Sequence, residues 1–382
     1  MRALAEARNG SARRHSFVGA LARAAASAGS RAALVAAALV ATVAIGPRVA
    51  VGQESPANGA SAAAAAPRVP TSAWLPRLRL DNDAYNFWIH PGRRSDEEYT
   101  NGVVASLEAL QAPLWGKRLG GGAPGCAVAT REARACLSTT LLIGQDMYTP
   151  NLDRPPFRRP DWEDERPYAA WLYVGGEGRR ITARSLRTVG LSLGVTGGPA
   201  LGKLSQSIAH RISAQYTTKA TGWETQVGFE PGVLLTARQQ WLPLRIAPGG
   251  RGLLDIAPSV GGSLGNIRTA GDVGGKVRLG VNMSHPWDPR AWRERPDWEW
   301  HVHGAARAEH VARDFSLDGT LFRRAKRRVT RVPGVREYEF GTALRLQRLT
   351  VGWRAITRSR EYTTGPARHA FSQMYSAVEF RP

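Results

Sequence analysis

Along this chain apolar side chains return at every second position, the period that puts one face of an extended strand against an apolar phase. In 189–195, Val189, Leu191, Leu193 and Val195 fall on one face, and Gly190, Ser192 and Gly194 on the other. In 276–284, Val277, Leu279, Val281 and Met283 oppose Lys276, Arg278, Asn282 and Ser284. In 298–309, Trp298, Trp300, Val302, Gly304 and Ala306 oppose Glu299, His301, His303, Arg307 and Glu309. In 337–347, Tyr338, Phe340, Leu344 and Leu346 oppose Glu337, Glu339, Arg345 and Gln347, and the segment from Met374 to Phe380 alternates again. Past residue 75 there is no apolar run long enough for a membrane-crossing helix, which needs about 20 residues. Charges on one face and aromatics at the ends of the other suit a wall between lipid and a polar interior, and only a closed barrel satisfies every backbone polar group in lipid. Twelve Trp and nine Tyr supply the aromatic girdles such a wall carries. The pattern predicts an all-β fold, a transmembrane antiparallel β-barrel; the competing fold is a soluble periplasmic β protein.

The N-terminus carries an export address. Arg13, Arg14, Arg23 and Arg31 precede "AALVAAALVATVAIG" (32–46), and Ala50-Val51-Gly52 offers the small residues of a cleavage site. Residues 1–52 are expected to be a signal peptide, 53–70 a linker with almost nothing to bury, and 71–382 the barrel. Without residues 1–52, which hold seven Arg and one Glu, 45 basic and 30 acidic side chains remain, a balance near +15. Such a charge calls for a polyanionic partner: nucleic acid, anionic lipid or a phosphorylated glycolipid. Cys126 and Cys136 can bridge in an oxidising compartment, and two thiols in no ligand pattern argue against structural zinc.

One segment departs from the period of two. In "PALGKLSQSIAHRIS" (199–213), Leu201, Leu204, Ile208 and Ile212 recur at helical spacing. The spacing predicts a short amphipathic helix that docks its apolar side on the barrel and carries Lys203, Gln206 and His210 opposite. His210, with Gln206 one turn before it, suits a general base. His301 and His303 share the strand face of Glu299 and read as packed interior. "GGSLG" (261–265) matches the G-x-S-x-G string, but that motif needs a strand-to-helix elbow, and here the strand pattern continues through Ser263. The acid-rich stretch "DNDAYNFWIHPGRRSDEEYTNG" (81–102) is the other candidate site, through Asn82, Asp83 and Thr100.

Read in order, "DND…DEEYTNG" (81–102), "IGQDMYTP" (143–150), "ERPYAAWLY" (165–173), "GVTGGPALGKLSQSIAH" (194–210), "GWETQVGFEP" (222–231), "GNIRTAGDVGGKVRLG" (265–280) and "FSLDGTLF" (315–322) resemble the successive signatures of the outer-membrane lipid A 3′-O-deacylase family. The resemblance implies a twelve-stranded barrel in the bacterial outer membrane, with the helix in an extracellular loop. It implies calcium dependence and hydrolysis of the ester holding the 3′ acyloxyacyl chain of lipid A, so the partner is lipopolysaccharide and not nucleic acid. Carried over, the catalytic residues are Asn82, Asp83, Thr100, Gln206 and His210, with Asp83 also offering a hard oxygen to calcium (Ca2+), and the site is pinched between barrel wall and helix. Arg154, Arg158 and Arg159, with the "RRAKRR" run (323–328), are expected to hold lipid A phosphates. A Glu that some members carry after the His has no match here, and Glu224 is its expected substitute. Glu165 stands where Asp usually precedes Arg-Pro-Tyr, and the chain ends beyond its last aromatic at Phe380-Arg381-Pro382. The competing reading is a non-catalytic lipopolysaccharide-binding or pore-forming barrel.

Overall fold

A computed structural model describes residues 74–83, 98–110, 126, 134–150, 164–212, 222–292, 295–322 and 327–380. The expected signal peptide and linker, Arg154, Arg158 and Arg159, and most of the 323–328 run lie outside the described residues. The strands are β1 (Trp74–Asn82), β2 (Glu98–Ala109), β3 (Cys136–Thr149), β4 (Ala169–Ile181), β5 (Ser185–Thr196), β6 (Pro231–Trp241) and β7 (Leu244–Ile246). They continue as β8 (Gly252–Gly265), β9 (Arg268–Met283), β10 (Trp298–Asp314), β11 (Gly334–Leu346), β12 (Leu349–Ser359) and β13 (Arg368–Val378). Helix α1 (Gly202–Ile212) follows β5, and a single-turn helix α2 (Phe315–Asp318) follows β10.

Apart from β6 and β7, which do not pair with each other, each strand pairs antiparallel with its sequence neighbours, and β1 pairs with β13. Residues 234–240 of β6 face 265–259 of β8, and 244–246 of β7 face 256–254 further along it. β6 and β7 are therefore one interrupted stave, and the sheet closes into a barrel of twelve. The ladder leaves no sheet edge, which is what allows strands to stand in lipid.

Parity separates the two faces of the wall. Leu191, Leu193, Val277, Leu279, Val281, Tyr338 and Phe340 are exposed on the outside, as the alternation predicts. Trp74, Trp241, Trp298, Trp300 and Phe380 are exposed at the end of the barrel where the first and last described residues lie, forming one girdle. Met283 departs from its expected place outside with Val281. Asn282 takes a left-handed φ of 56°, which breaks the alternation, and Met283 turns inward to full burial.

Inside, the charged partners of the alternation meet one another across strands. Glu339 pairs with Lys276 at 2.7 Å and with Arg354, and His303 Nε2 lies 2.9 Å from it. Glu299 joins Arg345 at 3.4 Å and His301 at 3.4 Å, and Glu309 takes Arg268 at 2.8 Å and Arg358 at 3.0 Å. The two histidines are thus interior packing, as their shared face with Glu299 suggests. Among the described residues the inward face of the wall is lined by ion-paired side chains.

At the girdle end, residues 284–292 reach across to the turn between β4 and β5. His285 Nδ1 accepts from Asp288 N at 3.0 Å, so its Nε2 carries the hydrogen and donates to Ala183 O at 2.9 Å. Burial holds this imidazole below its ordinary pKa, in keeping with the neutral form. Trp287 Nε1 donates to Thr182 O at 3.0 Å, and its ring joins Leu75, Leu110, Ile181, Leu186 and Leu242 in an apolar cluster. Cys126 and Cys136 belong to the same cluster and are bridged, with Cα atoms 5.0 Å apart. A free-thiol assay on unreduced, denatured protein should accordingly find none; two reactive thiols per chain would contradict the bridge.

Candidate active site

The residues expected to carry chemistry gather at the opposite rim. β1 alternates inward at Arg77, Arg79 and Asp81, which bond lumen partners, and outward at Trp74. Asn82 therefore stands on the outer wall, and Asp83, which ends the described stretch, is buried. Register carries Asn82 onto Asn101 of β2, Asn101 onto Met147 of β3, and Met147 onto Ala170 of β4. These four residues form one row around the outside of the barrel, spanning three strand spacings or about 14 Å.

β2 is irregular where it meets this row. Its register against β3 shifts between Tyr99 and Asn101, so Thr100 sits in a bulge, and Glu98 beside it takes a left-handed φ of 66°. Such a conformation costs a non-glycine residue of order 1–3 kcal/mol and persists only where the surroundings enforce it. The bulge turns Thr100 Oγ1 onto Thr149 Oγ1 at 2.5 Å, both residues being buried. Tyr99 points inward, its hydroxyl lying 2.8 Å from Asp81 Oδ2 and 3.0 Å from Asp146 Oδ1.

What enforces Glu98 is a buried cluster under the rim. Arg166 Nε lies 2.9 Å from Glu98, and its Nη2 donates to Glu361 at 3.1 Å. Tyr362 OH reaches Glu98 at 2.8 Å and Glu165 at 2.9 Å. Burial alone would raise the Glu361 carboxyl; Arg358, then His369 and Arg166, outweigh it and hold it well below the usual carboxylate range. Glu98, Glu361 and His369 converge closely enough to hold a metal ion, all ligand atoms lying within 4.8 Å of one another. Two guanidinium groups, from Arg166 and Arg358, already balance these acids, so the cluster reads as a structural brace. Nothing in the motif strings marks Glu361 or Tyr362 in advance.

Helix α1 rests on the other end of the outer-wall row. Gly197 adopts φ 73°, and a Cβ there would come within 2.7 Å of the Gly228 carbonyl carbon, so glycine is required at this turn. Ala200 O then accepts from Gln145 of β3 at 2.5 Å, and Ala200 packs with Met147, Tyr168, Ala170 and Trp223. A Cβ on Gly202 would sit 2.3 Å from the Trp223 ring, so the missing side chain lets the helix lie flat on the indole. One turn on, Gln206 is 1% exposed and its Oε1 accepts from Trp223 Nε1 at 2.6 Å.

This reverses the expected docking face. Leu201, Leu204 and Ile208 are exposed, as is Lys203, while Gly202 and Gln206 face the wall. Close approach at glycine and a hydrogen-bonded indole decide the matter over the apolar stripe. His210 is half-buried, one turn beyond Gln206 on the same side. The structure thus joins Asn82 to the row beneath the helix, Thr100 to Thr149, and Gln206 to Trp223. Glu224 is exposed on the turn Trp223–Thr225. Ser263 lies within β8, paired with Thr236 and Ala270, with no elbow around it. Glu230, which no motif reading singled out, accepts from Asn266 at 2.5 Å and from Leu321 N at 2.6 Å, tying the 315–322 loop to the head of β6.

The family model described as outer membrane protein LpxR matches residues 37–380. Among solved structures, LpxR from Salmonella typhimurium aligns with a TM-score of 0.62 at 19% identity, covering 80% of this chain and 99% of that one. The translocator domain of autotransporter NalP from Neisseria meningitidis gives a TM-score of 0.38 at 8% identity, with 82% and 88% covered. A comparison with curated proteins found no match. A closed twelve-stave barrel, an apolar outer band and a family match over nearly the whole chain lead to one conclusion: this chain belongs to the LpxR family of outer-membrane proteins.

Proposed function

We propose that this protein is a calcium-dependent hydrolase that cleaves the ester holding the 3′ acyloxyacyl chain of lipid A. The observation that carries the reading is the outer-wall row from Asn82 to Ala170 roofed at one end by α1. A site outside the barrel faces the leaflet in which lipid A resides, whereas the inner face is taken up by ion pairs. His210 lies eight steps beyond Gly202, about 12 Å of helix, comparable to the length of the row.

In this mechanism neutral His210 takes a proton from water as the oxygen attacks the ester carbonyl, then returns it to the departing sugar hydroxyl. Asn82 and Thr100 orient the reacting groups. Gln206, whose carbonyl oxygen is engaged by Trp223, positions the helix. The donor types at these positions, an Asp carboxylate, an Asn amide and a Thr hydroxyl, suit a hard cation such as calcium; bound at Asp83, it would polarise the carbonyl and stabilise the oxyanion. Arg154, Arg158 and Arg159 are the proposed phosphate contacts.

The deciding experiment is mass spectrometry of lipid A mixed with purified protein, with and without calcium. Loss of two fatty chains in one step is expected only with calcium; an unchanged mass would favour a non-catalytic lipopolysaccharide-binding barrel. Asp83→Ala should behave like wild type in EGTA, and added calcium should restore wild type fully but the variant poorly.

A further inference from the structure

The reversed face of α1 leaves an apolar strip with no protein against it among the described residues. Leu201, Leu204 and Ile208 are 47%, 54% and 47% exposed, values belonging to the outer band rather than to a packed helix. The strip continues that band. Exposed Ile143, Val174, Leu193 and Val233 form one register row around β3 to β6, and the Met147–Ala170 pair that bears α1 lies four residues above it. Four residues of a strand tilted by 40° rise about 10 Å. The eleven steps from Ser185, opposite the girdle residue Trp241, to Thr196 at the head of β5 rise about 28 Å, close to the height of a barrel's apolar band.

Helical geometry sorts the exposed half of α1 further. Leu204 and Ile208 form one line four residues apart, and exposed Lys203 and Arg211 flank it with Ser207. An apolar edge beside a cationic edge, at the height where hydrocarbon gives way to headgroups, is the arrangement of a helix lying in a membrane interface.

We infer that α1 is an interfacial helix. Leu201, Leu204 and Ile208 stand in the acyl chains of the outer leaflet, and Lys203 and Arg211 meet the anionic headgroups above them. The wall, the helix and the leaflet then enclose the site on three sides, so an ester near the headgroup boundary reaches it without leaving the membrane. The inference rests on the outer-membrane address and not on the deacylase reading.

Because Cys126 and Cys136 are bridged, one introduced cysteine can carry a nitroxide spin label. Leu204→Cys, Leu193→Cys and Arg360→Cys would be labelled in lipopolysaccharide-containing proteoliposomes, each variant first checked for heat-modifiable migration. Collision rates with oxygen and with a water-soluble nickel chelate are then compared. The Leu204 label should favour oxygen severalfold over nickel, near the ratio at Leu193 on the lipid-facing wall and far from that at the loop residue Arg360. A ratio matching Arg360 would overturn the inference, and a label shielded from both reagents would overturn it in favour of a protein partner. Wild-type protein that leaves lipid A intact while Leu204 reads as lipid-immersed would sink the deacylase reading alone.

Discussion

Replacing His210 with alanine is expected to lower lipid A deacylation by about 10²–10⁴-fold, the usual contribution of a positioned general base. The barrel should stay closed, because α1 is held to the wall by Gly202, Gln206 and Trp223 rather than by His210. Heat-modifiable gel migration checks that point, and the acid limb of the pH–rate profile should vanish with the base. Ser263→Ala should be nearly silent, since Ser263 sits mid-strand without an elbow. If Ser263→Ala abolishes activity while His210→Ala spares it, a serine mechanism replaces the one proposed.

The largest effect on stability is expected at Arg166. Its side chain is 1% exposed and serves Glu98 and Glu361 together. Arg166→Met would leave Glu98 buried without its cation, while Glu361 keeps Arg358, and breaking a buried pair in this way costs about 3–5 kcal/mol. The unfolding temperature in detergent should fall markedly, whereas Arg77→Met, at a half-exposed arginine whose partner Glu108 keeps Arg179, should cost under about 1 kcal/mol. Acid should mimic part of the loss. A carboxyl held below its unfolded value stabilises the fold above that value, so the Glu361 contribution is present above about pH 4 and withdrawn as pH falls further. Equal unfolding temperatures for Arg166→Met and wild type would remove the brace from the account.

The wall was legible because its cause is local: a two-residue period appears in any window of eight. The same reading failed at Met283, where one left-handed residue, Asn282, resets the parity and leaves no trace in hydropathy. The helix was legible as an element but not in its orientation. Its docking is decided by Trp223, seventeen residues beyond Gln206, and by the missing side chain of Gly202. The brace was illegible for a simpler reason: Tyr362 meets Glu98 across 264 positions of sequence. The resemblance put calcium at Asp83; which of the other acids are neutralised by arginine is a property of the closed barrel alone.

The row of residues on the outside of the barrel also bears on what would limit the proposed reaction. A substrate that arrives along the wall comes by two-dimensional diffusion, and its supply depends on its mole fraction among neighbouring lipids, not on bulk concentration. Diluting the vesicles should leave the rate per enzyme unchanged, whereas diluting lipid A with inert lipid in the same vesicle should lower it. Cooling through the chain-ordering temperature should slow turnover more steeply than the chemistry alone would.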